Sequence, residues 1–529
     1  MHIVLETAEL LGLICSELAA ANAHESLATL ARTSPAFTES ALDALWLSQD
    51  TIFNLIRLLP DDLWALDTEK RVVFIRATNE TDFALFLQYT KRVRHLTCSV
   101  FYMGRGLPSG AQWVNMRMVF DSLFDRFRHT VIFPNIRRLG WVVRNTEHYN
   151  PWLSLFLGPF LHSIDVAYAG IGSDALLSLI RQSTSVQSLT HCRLSGAPVS
   201  LPAMQHVSAL LQRLTAVKEL VISNLDVPAT QTLGQLKHLK TLDIFLPVPA
   251  DAPLGSIVAH SLPFSSLESL TTTVDNSCGG DLQQLHDFFQ LWEAGSVPLR
   301  TLQTTVIDEI PSAGLLKDIF CLLADGCAPN TLQTMIFVLQ ANDRVIRAST
   351  TSPHIGVALR PLLRMASLSN VNIELPFGIH VDDSFLGDAA QSWPHLKRLT
   401  LARSQADPDD TVTGPIPPSV PPPRSPRPRA TLLGLAALAQ HCLQLEYLSL
   451  SVDTTIPAPE SWPDILGLGS TAPTAGSKPW PERNTCPLTC FNTRDSPVTN
   501  PPCGGLVSRC YVPQSPGNQD TAYDALRDI

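Results

Sequence analysis

Apolar residues along this chain fall into one short phrase, apolar-x-x-apolar-x-apolar, that returns about a dozen times between residues 90 and 452. Clear copies are Ile136-Arg137-Arg138-Leu139-Gly140-Trp141, Val217-Lys218-Glu219-Leu220-Val221-Ile222, Leu239-Lys240-Thr241-Leu242-Asp243-Ile244, Leu396-Lys397-Arg398-Leu399-Thr400-Leu401 and Leu445-Glu446-Tyr447-Leu448-Ser449-Leu450. The closing alternation has the period of a strand with one buried face, so the second and third apolar positions point inward. The first apolar positions are Val93, Ile136, Leu161, Val186, Val217, Leu239, Leu267, Leu299, Leu332, Leu368, Leu396 and Leu445, mostly 22 to 36 residues apart. Between them lie segments of helical period: Ala175–Ile180, Met204–Leu214, Leu282–Trp292, Leu315–Leu323 and Leu432–Gln440.

Strand, turn and returning helix make one unit, and one such unit cannot bury both of its faces. Neighbours must stack, which predicts an α/β solenoid with a parallel sheet on one side and helices on the other. The repeat is degenerate. His191, Thr272 and Thr304 stand where apolar residues are expected, and the turn asparagine of more regular leucine-rich classes is mostly missing.

The N-terminal pattern differs. Leu5, Leu10, Leu11, Ile14 and Leu18 recur at helical spacing, Ala23-His24-Glu25 makes a break, and residues 27–46 predict two more short helices separated at Ser34-Pro35. A helix over Ile52–Leu59 stops at Pro60, Val72–Ile75 predicts a strand, and Thr81–Tyr89 a further helix. The chain therefore divides into a helical segment at 1–50, linking elements at 51–89, the repeats at 90–453 and an aperiodic tail at 454–529 rich in Pro, Ser, Thr, Gly and Asn. The tail is expected to be disordered, as is the proline-dense insertion at 404–430.

Composition narrows the function classes. With 45% hydrophobic and 16% charged residues, the chain is suited to bury most of its 529 positions. A net charge of −10 without a long basic stripe argues against nucleic acid as a partner. Glu6, Glu9 and Glu17 interrupt the first apolar run and no basic segment precedes it, so no secretory signal is expected; no later stretch of about 18 uncharged apolar residues predicts a membrane span. The cysteines at 15, 98, 192, 278, 321, 327 and 442 stand singly, which suits a reducing compartment, cytoplasmic or nuclear.

The N-terminal helices resemble an F-box. The resemblance is carried by Glu9-Leu10-Leu11-Gly12-Leu13-Ile14-Cys15-Ser16-Glu17-Leu18, then Ser26–Phe37, then Ala41-Leu42-Asp43-Ala44-Leu45-Trp46. These follow the family order of an acidic-apolar opening, an Ile-x-x-x-Leu helix, a Leu-x-x-Leu-Ala helix, an aromatic and a closing Leu-Trp. The Leu-Pro opening usual in the family is replaced by Leu5-Glu6-Thr7. Followed by degenerate leucine-rich repeats, this start looks like a fungal F-box protein of the leucine-rich-repeat type.

The resemblance implies a non-catalytic substrate-recognition subunit of an SCF-type cullin–RING ubiquitin ligase. A Skp-type adaptor and through it a cullin would bind the F-box, and a target protein would bind the repeats. Leu10, Ile14, Leu18, Leu27, Leu30 and Trp46 match family positions of the F-box core or adaptor face. Those residues are also spaced as the core of a helical cap, which a solenoid needs in any case. The alternative is therefore a repeat scaffold that binds a protein without any ligase.

Catalytic signatures are missing from the sequence, so neither an enzyme nor a cofactor is expected. Gly104–Gly110 is glycine-rich without dinucleotide or phosphate-loop spacing. Cys486, Cys490, Cys503 and Cys510 have no paired Cys-x-x-Cys spacing and no histidine among them, so disorder outweighs zinc. Asp61-Asp62, Asp382-Asp383 and Asp409-Asp410 read as turns or caps. Ser425, between Arg424 and Pro426, is a candidate phosphorylation site in the exposed insertion.

Overall fold

A computed structural model of the chain describes residues 7–68, 71–99, 101–102, 114–128, 130–143, 151–168, 173–196, 201–223, 225, 227–246, 262–276, 281–341, 355–376, 379–403, 428–453 and 455. They form a mixed α/β structure whose long ladders are all parallel. Contacts divide the chain into two compact units, one ending at Val217 and the other beginning at Lys218.

The first unit opens with three helices, α1 (Ala8–Ala20), α2 (His24–Thr33) and α3 (Pro35–Trp46). α1 stops because Asn22 takes a left-handed φ of +55°. The amides of Asn22 and Ala23 then reach back to the carbonyls of Ala19 and Leu18, at 2.9 Å each, closing the last turn. α2 gives way to α3 at Ser34, which Pro35 holds extended and whose hydroxyl accepts the amide of Ala36. The end of α3 runs without a linker into the first sheet strand, β1 (Ser48–Gln49).

The predicted helix over Ile52–Leu59 is helical only at Phe53–Ile56, and the rest winds in tighter turns before Pro60. The chain then makes an antiparallel pair, β2 (Trp64–Leu66) with β3 (Val72–Phe74). Arg76, just beyond it, holds both oxygens of Asp82 at 2.8 Å and both of Asp62 at 2.8 and 3.2 Å. That guanidinium, with the amide of Asn79, keeps the Asp82 carboxyl down at about 2. Arg92 clamps the following turn to α3 through Glu39 and Asp43.

The unit's sheet then grows strand by strand from β1: β4 (His95–Ser99) pairs with it, and next to β4 comes β7 (Arg138–Val143). Between these in sequence lies the short antiparallel pair β5 (Phe101–Tyr102) and β6 (Val114–Asn115). β8 (Ser163–Tyr168) follows β7, and β9 (His191–Gly196) follows β8. Leu96, Leu139, Ile164 and Cys192 occupy one buried row, and Cys98, Trp141, Val166 and Leu194 the next.

The register moves one sequence expectation. Cys192, not Leu189, aligns with Ile164. The phrase in this copy therefore starts at Leu189 rather than Val186, and His191 does not replace an inward apolar residue. It is half-exposed on the outer face of the strand.

The second unit repeats the arrangement in β10 (Glu219–Ser223), β11 (Thr241–Phe245), β12 (Ser269–Asp275), β13 (Thr301–Ile307), β14 (Thr334–Gln340), β15 (Asn370–Leu375), β16 (Arg398–Arg403) and β17 (Tyr447–Leu450), parallel throughout. The two non-apolar positions of each phrase have a physical role here. Before each strand, one carbonyl accepts two successive amides of the next copy. Lys218, Lys240, Glu268, Arg300, Gln333, Ser369 and Lys397 do this in turn, at 2.8 to 3.1 Å. These bonds run between backbone groups, and side chains at the same positions add to them only locally, as where the Ser369 hydroxyl donates to the Gln333 carbonyl at 3.1 Å.

Thr272 and Thr304 do replace apolar residues, as expected, and are buried. They are register partners whose hydroxyls lie 2.9 Å apart, so each satisfies the other inside the core.

Candidate interaction surfaces

On α1 the apolar residues divide between two faces. Leu11 and Cys15, four residues apart, are 4% and 1% exposed and form the side turned into the bundle. Leu10, Leu13 and Ile14, at i, i+3 and i+4, are 38%, 62% and 42% exposed. Leu18, one turn beyond Ile14, is half-buried, and Glu9, Ser16 and Glu17 border the stripe.

The six residues singled out from sequence thus occupy three environments. Leu27 and Trp46 are fully buried, and the ring of Trp46 lies 4.8 Å from that of Tyr89, which ties α3 to the helix before β4. Leu18 and Leu30 are half-buried, and Leu10 and Ile14 face outward. Leu13 is not among the six. Its signal in the sequence is that it completes an i, i+3, i+4 set with Leu10 and Ile14. Each of these side chains would gain roughly 1.5–3 kcal/mol if fully covered, so the stripe favours a complementary apolar surface.

The second unit offers a strand face of a different kind. On β12 to β15 buried and half-exposed residues alternate along each strand. The register lines up Thr271, Gln303, Ile336 and Asn372 in one outward row, and Thr273, Thr305, Val338 and Glu374 in the next. The middle of this face is threonine-rich and almost uncharged. It has hydroxyls and methyls for packing and hydrogen bonding, but no converging ionisable groups.

Among the described residues no group of three or more His, Cys, Asp or Glu side chains is placed to hold a metal ion. Burial pushes the thiols of Cys192 and Cys327 up to about 12, so neither supplies a thiolate near neutral pH. The Asp382-Asp383 pair caps helices, as read from sequence. Gly104–Gly110, Asp409-Asp410, Ser425 and the tail cysteines Cys486, Cys490, Cys503 and Cys510 lie outside the described residues. No helix among the described residues is long and apolar enough to cross a membrane.

One carboxyl is unusual. Glu309 accepts the amide of Leu282 at 2.7 Å, beside the capping Asp281 of helix Leu282–Gln290. Burial, with the nearby Asp281, raises it to about 7, against the pull of that amide. Between about pH 4.5 and 7 the folded chain therefore keeps a proton that the unfolded chain releases, and stability falls as pH rises through that window. Glu309→Gln keeps an oxygen for the amide and removes this dependence. The variant is expected to exceed the parent by on the order of 1 kcal/mol at pH 7.5 and by little at pH 5, since water still reaches the group. Urea unfolding at the two pH values measures it, and equal differences at both would refute the assignment.

No family model matches the chain. No curated protein matches it either. Among solved structures it is similar to a protein from Bacteroides fragilis, at 14% identity over 54% of this chain and 71% of that one, with a TM-score of 0.29. It is also similar to the Toll–Spatzle complex, described as a molecular hub in Drosophila development and innate immunity. That match has 12% identity over 78% of this chain and 54% of that one, with a TM-score of 0.26. Likeness at this level carries no argument about function.

Proposed function

We propose that the chain is a substrate-recognition subunit of an SCF-type cullin–RING ubiquitin ligase, with an F-box in its first three helices and a degenerate leucine-rich-repeat solenoid as its receptor part. The observation that carries this reading is the uncovered stripe of Leu10, Leu13 and Ile14 on α1. A helix that only caps a core turns polar residues outward, whereas an adaptor-binding helix keeps apolar ones exposed until its partner covers them. The subunit itself does no chemistry. One end docks on a Skp-type adaptor, and the open strand faces hold a target protein, raising its effective concentration at the transfer site.

The test is a pulldown of the full chain on a Skp-type adaptor, beside the double variant Leu10→Asp/Ile14→Asp. Both positions are exposed, so the variant should keep its far-ultraviolet circular dichroism while binding falls by about a hundredfold or more, as expected when charges replace two anchors of an apolar contact. Leu11→Asp is the contrasting control: at 4% exposure it should damage folding as well as binding. If the well-folded parent does not bind the adaptor, the ligase reading fails and the chain is left as a repeat scaffold for a protein partner.

A further inference from the structure

The sheet face of the first unit has a chemistry that the composition conceals. The carbonyl of Arg94 accepts the amides of Arg137 and Arg138, that of Arg137 accepts His162 and Ser163, and that of His162 accepts Thr190 and His191. This ladder brings residues from four copies of the repeat side by side, with neighbouring strands about 4.8 Å apart. His95, Arg138, Ser163 and His191 are register partners on the outer face, as are Thr97, Gly140, Asp165 and Arg193. Arg94, Arg137, Arg138, Arg193 and His162 are exposed.

Among the described residues of β4, β7, β8 and β9 and the turns before them, four guanidinium groups thus share this face with three imidazoles and one carboxylate, Asp165, in a chain whose net charge is −10. None of the four arginines is ion-paired at salt-bridge distance to a described carboxylate. Asp165 interacts with Arg193 only as a neighbouring charge. The crowding of charge is visible at His95, whose imidazole is held below its ordinary value by burial and then by Arg138, Arg137 and Arg94. At the centre of the group Gly140 has no side chain, and Thr97 leans over it: a Cβ there would sit 3.3 Å from the Thr97 hydroxyl. Phe, Tyr and Trp, the large rings on which a nucleic-acid strand would stack, do not occur at these outward positions of β4, β7, β8 and β9.

We infer that the outer strand face of the first unit, centred on Arg94, Arg137, Arg138 and Arg193, is a docking site for an acidic segment of a partner protein, rich in Asp and Glu. Four guanidinium groups on a rigid sheet, none at salt-bridge distance from a described carboxylate, match a run of carboxylates laid across the strands, and the planar guanidinium gives up its hydration more readily than an ammonium. The inference deepens the proposal that the repeats hold a target protein and rests on that part of it. It does not depend on the adaptor.

The test uses the full chain and a fluorescein-labelled 12-residue peptide of alternating Glu and Gly, read by anisotropy at low and high salt. The parent is expected to bind the peptide in a salt-sensitive way. Arg94→Glu/Arg138→Glu/Arg193→Glu should bind at least about tenfold more weakly, and the corresponding Gln variant should fall between them. Circular dichroism checks that both variants fold, and a parallel adaptor pulldown should give the same result for all three proteins. Absence of peptide binding by the parent, or equal binding by the Glu variant, overturns the site. Tighter binding of a 12-nucleotide single-stranded DNA than of the peptide overturns the choice of an acidic protein. Failure in the adaptor pulldown alone removes the ligase and leaves this site standing.

Discussion

Replacing Trp141 with alanine is expected to lower the stability of the first unit by about 3–5 kcal/mol, the range for removing a large aromatic from a packed core. Trp141 is 1% exposed, on the inner side of β7. Its ring lies 5.8 Å from Phe120 and 5.2 Å from Phe156. Those two in turn meet Trp152 and Phe133 in stacked pairs at 5.3 and 5.0 Å. Phe120 and Phe156 also meet each other at 6.3 Å, so deleting the indole opens a void against both, and helix Arg117–Phe127, which supplies Phe120, cannot move into the space without giving up its other contacts. Trp141→Phe keeps a ring in the cluster and should lose distinctly less. The midpoint of urea denaturation measures both, and an alanine variant within about 1 kcal/mol of the parent would contradict the packing described.

The second large effect is expected at Asp383. Its Oδ1 accepts the amides of Thr431 at 2.7 Å and Gly434 at 3.1 Å, and its Oδ2 accepts the hydroxyl of Thr431 at 2.7 Å. One carboxylate at the start of helix Asp383–Ser392 thus caps the start of helix Leu432–His441, about fifty residues later. Asp383→Ala leaves three donors without their acceptor in a part-buried place, at a cost of roughly 3 kcal/mol. Asp383→Asn retains an oxygen for the two amides and should cost less. Gly434→Ala should also destabilise, because a Cβ there would sit 2.6 Å from Asp383 Oδ1 and from Leu386 Cδ1. Amide exchange in Leu432–His441 gives the readout. Protection there should fall in Asp383→Ala more than it falls in helix Ala313–Gly326, and a uniform loss would mean that the carboxylate holds no local joint.

How legible these features are in the sequence depends on how local their causes are. The strands are set by alternation within six residues, and the phrase locates them from Val93 to Leu445. The copy at Leu189 misleads because Val186, three residues earlier, is also apolar and also buried, so only pairing with β8 chooses between them. The end of α1 depends on Asn22 in a left-handed conformation, a turn signal easily passed over beside Ala23-His24-Glu25. Helices Arg117–Phe127 and Asp383–Ser392 do carry apolar residues at helical spacing, Val119, Phe120, Leu123 and Phe124 in one and Phe385, Leu386, Ala389 and Ala390 in the other, whereas Val227–Gly234 has too few to show a period. The stripe on α1 is legible as apolar residues but not as exposed ones, since either side of a three-helix bundle fits the same spacing. The arginine face is the least legible. Arg94, Arg137, Arg138 and Arg193 are scattered over a hundred residues, and no basic stripe appears until the register gathers them.

The carbonyl of Leu47, one residue after Trp46, accepts the amides of Arg94 and His95 at 2.9 Å each and so forms the first rung of the sheet ladder. The helical end is therefore a stiff arm and not a tethered module. A partner seated on β4 or β7 would turn with α1 as one piece, with no slack to be taken up between them. On the proposed ligase reading, which lysines of such a partner come within range would be decided by angle rather than by reach.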